Sequence, residues 1–190
     1  MTDIIKPGAG LLFMKVGTHA DESLSEIIGR KRTEIRDAGY SLWGYGGNTC
    51  HPITMVQPFA HQAQQHGHVI YLCMHPMQSH HFAVTERAKE FSSDGVNWEP
   101  IPEEINVIGS RFALAIKDLH DESFELPLAD TTVAIGNSKG RRGDRYIQGR
   151  VDKGCLEVTD HSEVEDPEAR TIEIGLVAEL VDPFAVFVRN

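Results

Sequence analysis

Ser23-Leu24-Ser25-Glu26-Ile27-Ile28-Gly29-Arg30-Lys31-Arg32-Thr33-Glu34-Ile35-Arg36-Asp37-Ala38-Gly39 carries the clearest structural signal in the chain. Ser23 with Glu26 three residues later has the form of a capping box, in which each side chain satisfies the other's backbone N–H. Leu24, Ile27, Ile28 and Ile35 keep to one helical face, and Gly39 supplies a left-handed stop. A helix from Ser23 to Ala38 follows. Before it, Leu11-Leu12-Phe13-Met14, then Lys15-Val16 and Gly17, reads as a buried strand because the apolar run is short and halted by glycine. After it come the loop Trp43-Gly44-Tyr45-Gly46-Gly47-Asn48 and a second amphipathic stretch (Met55, Val56, Phe59, Ala60, Ala63) ending at Gly67, with Pro58 in its first turn or at a kink. His68 to Met74 then has the continuous apolar character of a central strand, stopped by His75-Pro76.

Beyond this point the pattern changes. Phe82 to Phe91 is compatible with a short helix, and Ser92 to Asn106, with glycine, asparagine and two prolines, reads as a surface loop. Arg111 to Ile116, Thr131 to Ile135, Tyr146 to Val151 and Leu176 to Leu180 are strand-like, with turn residues between them. Val181-Asp182-Pro183 separates Leu176–Leu180 from Phe184–Val188, as in a closing hairpin. The acidic stretch Asp160 to Glu168 has a solvated composition. A helical front and a strand-rich back predict a single α+β domain over residues 1–190. Its sheet is expected to be curved or barrel-like and mainly antiparallel, with two or three helices in the N-terminal half.

Composition narrows the function. Hydrophobic content of 41% and charged content of 24% are those of a globular domain. A formal net charge of −10 repels long polynucleotides, so any such contact has to be local, whereas a small phosphorylated molecule responds to the groups lining its pocket. Three cysteines without a Cys-x-x-Cys pair fit a reducing compartment, and no basic-then-apolar leader or apolar run long enough to span a bilayer occurs. The expectation is a cytoplasmic protein without a membrane partner.

Phe13-Met14-Lys15-Val16, a helix, a loop carrying Trp43 and Asn48, then Gly67-His68-Val69-Ile70-Tyr71-Leu72 resembles the opening of PUA-like domains, in particular their EVE and YTH branch. The resemblance covers about the first half of the chain. It implies a small barrel that reads modified nucleobases with an aromatic cage. The acidic balance and the long segment between His75 and Arg111 depart from that family.

Two glycine-punctuated loops are the candidate binding elements. Glycine lets the backbone approach a ligand and adopt positive φ. In the first loop, Trp43 and Tyr45 suit stacking on a planar group and Asn48 suits a base edge; the alternative is that both rings plug the core behind a tight turn. The second, Gly136 to Arg150, concentrates Lys139, Arg141, Arg142, Arg145 and Arg150 in fifteen residues of an acidic chain. Freed N–H groups and guanidiniums there suit an anion, although the spacing is not that of a P-loop; the alternative is a solvated hairpin tip paired with surface carboxylates.

Seven histidines fall between His51 and His81, yet no metal-binding spacing is present, and neither a metal nor a cofactor is expected. Cys50 beside His51 is the most reactive-looking pair, while Asp118, His120, Asp121, Glu122, Asp144 and Asp152 are acid–base candidates; none forms an intact catalytic signature. The function read from the sequence is binding of a nucleotide, modified nucleobase or similar phosphorylated ligand by Trp43, Tyr45, Asn48, Lys139, Arg141, Arg142 and Arg145. The alternatives are a hydrolase or transferase acting on such a ligand and a protein-interaction module using the basic hairpin. Oligomeric state is not fixed by the sequence.

Overall fold

The computed structural model describes residues 4–46, 50–81, 85–159 and 170–190. Among these the chain is α+β, and its large mixed sheet is curved and not closed. Strand β1 (Gly10–His19) leads to α1 (Leu24–Ala38), β2 (Ser41–Gly44), α2 (Ile53–Gln65) and β3 (Tyr71–His81). Then come β4 (Glu90–Ser92), β5 (Glu99–Pro100), β6 (Phe112–Pro127), a 3₁₀ turn (Leu128–Asp130), β7 (Thr131–Val133), α3 (Gly143–Tyr146), β8 (Lys153–Val158) and β9 (Thr171–Arg189). The main path of the sheet runs β2-β6-β9-β3-β1-β8-β7, with β4 attached to β9 and β5 to β4.

The capping box forms as the sequence dictates. The Ser23 backbone N–H donates to Glu26 Oε2 at 2.8 Å, Glu26 N–H donates back to Ser23 Oγ, and Gly39 closes the helix at φ 83°. Strands β1 and β3 pair in parallel, Leu12 opposite Leu72 and Phe13 opposite Cys73. A parallel pair is covered on both faces, which explains its unbroken apolar runs. Leu12, Met14, Leu72 and Met74 face the core under α1 and α2, whereas Leu11, Phe13 and Cys73 face a second core with Leu126, Leu128 and Val133. A third core gathers Leu42, Ile105, Ala113 and Val186.

Several expectations are corrected. Strand β3 continues past His75-Pro76 to His81. Of Phe82–Phe91, the described residues hold no helix; β4 begins at Glu90, and Phe82–Val84 lie outside the described residues. The expected loop over Ser92–Asn106 contains β5 and buries Ile101 and Ile105. Tyr146–Val151 is not a strand, because α3 and a turn occupy it and pairing starts at Lys153. The expected closing hairpin is one strand, β9. Leu114 pairs with Ala185 and Ile116 with Leu180, so Val181 to Phe184 bulge out of a continuous ladder. Asp160–Glu168 lies outside the described residues.

Segment 101–109 is tied to α1 by a buried ionic cluster. Glu34, 2% exposed, accepts hydrogen bonds from Lys31 Nζ (2.9 Å), Arg30 (3.1 Å), Ser41 Oγ (2.5 Å) and the Asn106 N–H (3.1 Å). Lys31 and Arg30 also donate to the Asn106 carbonyl. Burial pulls the Lys31 ammonium down to about 8, against the attraction of Glu34.

Candidate functional site: where the two glycine-rich segments meet

Trp43 sits on β2 opposite Leu114 and is 4% exposed; Tyr45 follows the strand and is fully buried. Both expected stacking residues are therefore corrected to core positions. The reason is that the stretch after α1 pairs with β6 instead of looping into solvent, which turns the indole toward Leu114 and Ile116 in the core under the helices. The Tyr45 hydroxyl donates to the His51 carbonyl at 2.6 Å, and burial raises its pKa. Asn48 lies outside the described residues.

The Tyr45 bond braces His51, which is 6% exposed and has φ 41°, a left-handed conformation uncommon for a residue with a side chain. Its ring reaches the end of β7, where the ladder stops at Val133 and the Cys155 N–H needs an acceptor. His51 Nδ1 takes that N–H at 2.7 Å, so the imidazole proton resides on Nε2. Burial lowers the His51 pKa, which keeps the ring neutral.

The basic segment is a tight excursion from β7. The Val133 N–H donates to Arg141 O and the Gly140 N–H returns to Val133 O, both at 2.8 Å, with Gly136 and Gly140 at φ 83°. Lys139 and Arg141 are exposed at its tip, with no carboxylate in ion-pair range among the described residues. Arg142 is different. It forms a bidentate pair, 2.6 and 2.7 Å, with Asp144, which is 2% exposed. Arg145 stands 3.9 Å from the same carboxylate. Arg142 is thus corrected from a ligand clamp to the counter-ion of a buried acid, since an unpaired carboxylate at that depth is costly.

The two glycine-rich segments come together through residues other than those singled out. Tyr146, on α3, stacks on His51 with ring centroids 5.2 Å apart, and Gly136 lies against Met55 of α2. Lys153 lies 5.2 Å over the Tyr45 ring and pairs with Asp152 at 3.0 Å, and Cys50 stands partly exposed beside this corner. The expected Cys50–His51 pair has no base, because Nδ1 is occupied and Nε2 carries the proton. Burial pushes the Cys73 thiol up to about 12 and raises that of Cys155 as well. Among the described residues no group of histidines, cysteines and carboxylates is placed to hold a metal.

Along α2 the same excursion borders a groove of about 240 Å³. Phe59, Ala63 and Ile70 line its apolar part, and Gln62, His66, His68, Lys139 and Glu157 its polar part, with Ala134 on the side of the basic segment. Lys139 therefore belongs both to the cationic tip and to the groove. Lys139 was singled out in the sequence, whereas Tyr146, Phe59 and Ala63 escaped it, Tyr146 because it was assigned to a strand, and Phe59 and Ala63 because their spacing marks only a buried helical face.

No protein-family model matches the chain, and neither a curated protein nor a solved structure matches it. Among the described residues no helix is long and apolar enough to cross a membrane.

Proposed function

We propose that this protein binds a phosphorylated small molecule bearing a flat ring, of the nucleotide class, in the groove between α2 and the basic excursion. One observation carries the reading: Lys139 borders a groove with an apolar part while Arg141, two residues on, is exposed without a carboxylate partner among the described residues. The apolar part of the groove suits the ring, and the cations at its polar end suit the phosphate. The ring lies over Phe59 and Ile70, and Lys139, Arg141 and Arg145 hold the anion. The PUA-like resemblance of the first half points to a nucleobase as well. Trp43 serves as core packing, Tyr45 as the support of His51, and Arg142 as the brace of α3.

Calorimetric titration with mononucleotides at two salt concentrations tests this. Affinity is expected to fall with salt, and Lys139→Ala/Arg141→Ala is expected to weaken binding roughly 10- to 100-fold, from about 1.5–3 kcal/mol for a hydrogen bond to a charged group. A panel in which no nucleotide binds, or in which the double variant binds like the wild type, refutes the reading. Chromatography of the same mixtures separates binding from turnover: a product supports the hydrolase or transferase alternative.

A further inference from the structure

A second groove, of about 220 Å³, opens where the end of α2 meets the bulge in β9. Val69, Ile70, Leu180 and Phe184 give it apolar walls, and the charged residues lining it are Glu179 and Asp182. It shares His68 and Ile70 with the groove assigned to the nucleotide, but the two differ in charge. That groove carries Lys139 as well as Glu157, whereas among the described residues no lysine or arginine lines this one. Glu179 is already paired with Lys117 at 2.9 Å. Asp182 is exposed, and its carboxylate has no ion-pair partner among the described residues.

The wall is a departure from the regular sheet. Leu180 pairs with Ile116 and Ala185 with Leu114, so Val181 to Phe184 stand opposite Ala115 alone. Both ends of this bulge are pinned: the Leu180 N–H donates to the Ile70 carbonyl at 2.9 Å, and Gln57 Nε2 donates to the Ala185 carbonyl. Phe184 takes φ 64°, a left-handed conformation that is unfavourable for an aromatic residue, and its buried ring meets His61 edge-on with centroids 5.0 Å apart. Bulges re-aim side chains, and here the result is an aromatic wall with a carboxylate at the rim. Val69, one of three large apolar side chains exposed among the described residues, is 43% exposed and lines the same groove.

We propose that this groove binds a small organic cation, an ammonium or guanidinium group on an apolar body of side-chain size. Val69, Leu180 and Phe184 bed the body, and Asp182 is the counter-ion of the head. The volume is below the roughly 300–1,000 Å³ of sites for drug-sized ligands, so it takes one such group and not a run of peptide. The unpaired carboxylate favours a cation over a neutral molecule of the same shape, and the net charge of −10 attracts cations to the protein.

The probes are phenethylamine, which is an ammonium ion at neutral pH, and 2-phenylethanol, its uncharged counterpart. Each is titrated into the ¹⁵N-labelled full chain and followed by amide shifts. The amine is expected to move Val69, Leu180, Val181 and Asp182 and to bind about fivefold more tightly than the alcohol, with a preference that shrinks in salt. Asp182→Asn, at an exposed position, is expected to melt like the wild type and to bind the two probes equally. Lys139→Ala should leave amine binding unchanged, so this site and the nucleotide reading stand or fall separately. Equal binding of amine and alcohol to the wild type, a preference retained in Asp182→Asn, or shifts confined to residues away from the groove overturns the proposal. So does tighter binding of the capped tripeptide acetyl-Gly-Arg-Gly-amide than of the amine, which would make the groove a peptide-docking surface. Should Asp182→Asn melt lower, the comparison of amine with alcohol in the wild type decides without it.

Discussion

Replacing Glu34 with glutamine keeps the shape of the buried ionic cluster and removes the carboxylate that Lys31 and Arg30 share. Glu34 accepts four hydrogen bonds, two from the cations Lys31 and Arg30, and is 2% exposed. The amide accepts at one end only, so Lys31, 3% exposed at its side chain, is left without a counter-ion; Arg30 keeps Glu22. Breaking a buried pair from one side costs about 3–5 kcal/mol. At about 2–4 °C per kcal/mol for a domain of this size, the melting temperature should drop by about 10 °C. The loss also depends on pH. With Glu34 present Lys31 titrates at about 8, and without it the folded-state value falls further. A lysine whose folded pKa is lowered binds fewer protons folded than unfolded, so stability rises with pH from that folded value toward the unfolded value near ~10.4. The variant enters this rising window at a lower pH than the wild type. Its deficit is therefore greatest near pH 5.5 and narrows by pH 8.5, above which both proteins gain in parallel. Differential scanning calorimetry of both proteins at the two pH values measures this. A drop under about 2 °C, or a deficit that does not change with pH, refutes the assignment of Lys31 and Glu34 as a charged buried pair.

Tyr45→Phe removes the donor to the His51 carbonyl and should cost about 1–3 kcal/mol in urea denaturation, the range for a buried acceptor left unpaired; an unchanged midpoint would show that the hydroxyl braces nothing. Gly143→Ala should destabilise by more than about 1 kcal/mol, because a Cβ there would overlap Thr131 Oγ1 and lie 2.8 Å from the Leu128 carbonyl oxygen, which belongs to the backbone and yields little; wild-type stability would mean that α3 is not seated as described. Arg142→Ala should cost about 3 kcal/mol by removing the bidentate partner of the buried Asp144, whereas Arg141→Ala at the exposed tip should change stability by less than about 0.5 kcal/mol. Equal effects of the two in the same denaturation assay would remove the distinction between brace and binding cation.

Local chemistry by itself determined much of the front of the molecule. Helix α1 forms from Ser23, Glu26 and Gly39 because a capping box and a left-handed stop satisfy the helix's own backbone groups, whatever surrounds them. The parallel strands β1 and β3 showed in the sequence as short apolar runs for a similar reason: Leu11 to Met14 and Leu72 to Met74 are buried alternately against one core and the other. The basic excursion was also legible, since glycines and cations in alternation describe a turn and a charge without reference to the rest of the chain.

Tertiary structure alone decided which of those residues face solvent. A tryptophan beside glycines reads the same in a binding loop and in an edge strand; pairing of β2 with β6 buried Trp43. Arg142 and Arg141 are chemically identical neighbours, and only the buried position of Asp144 in the first turn of α3 makes one a structural counter-ion and leaves the other at the surface. Asp182-Pro183 has the look of a turn, but β6 running alongside absorbs it as a bulge within one long strand. The meeting of His51 with Tyr146 depends on contacts ninety-five positions apart, and no periodicity within either segment encodes such a contact. Propensity and capping act over a few residues, whereas burial and partner choice depend on the whole sheet.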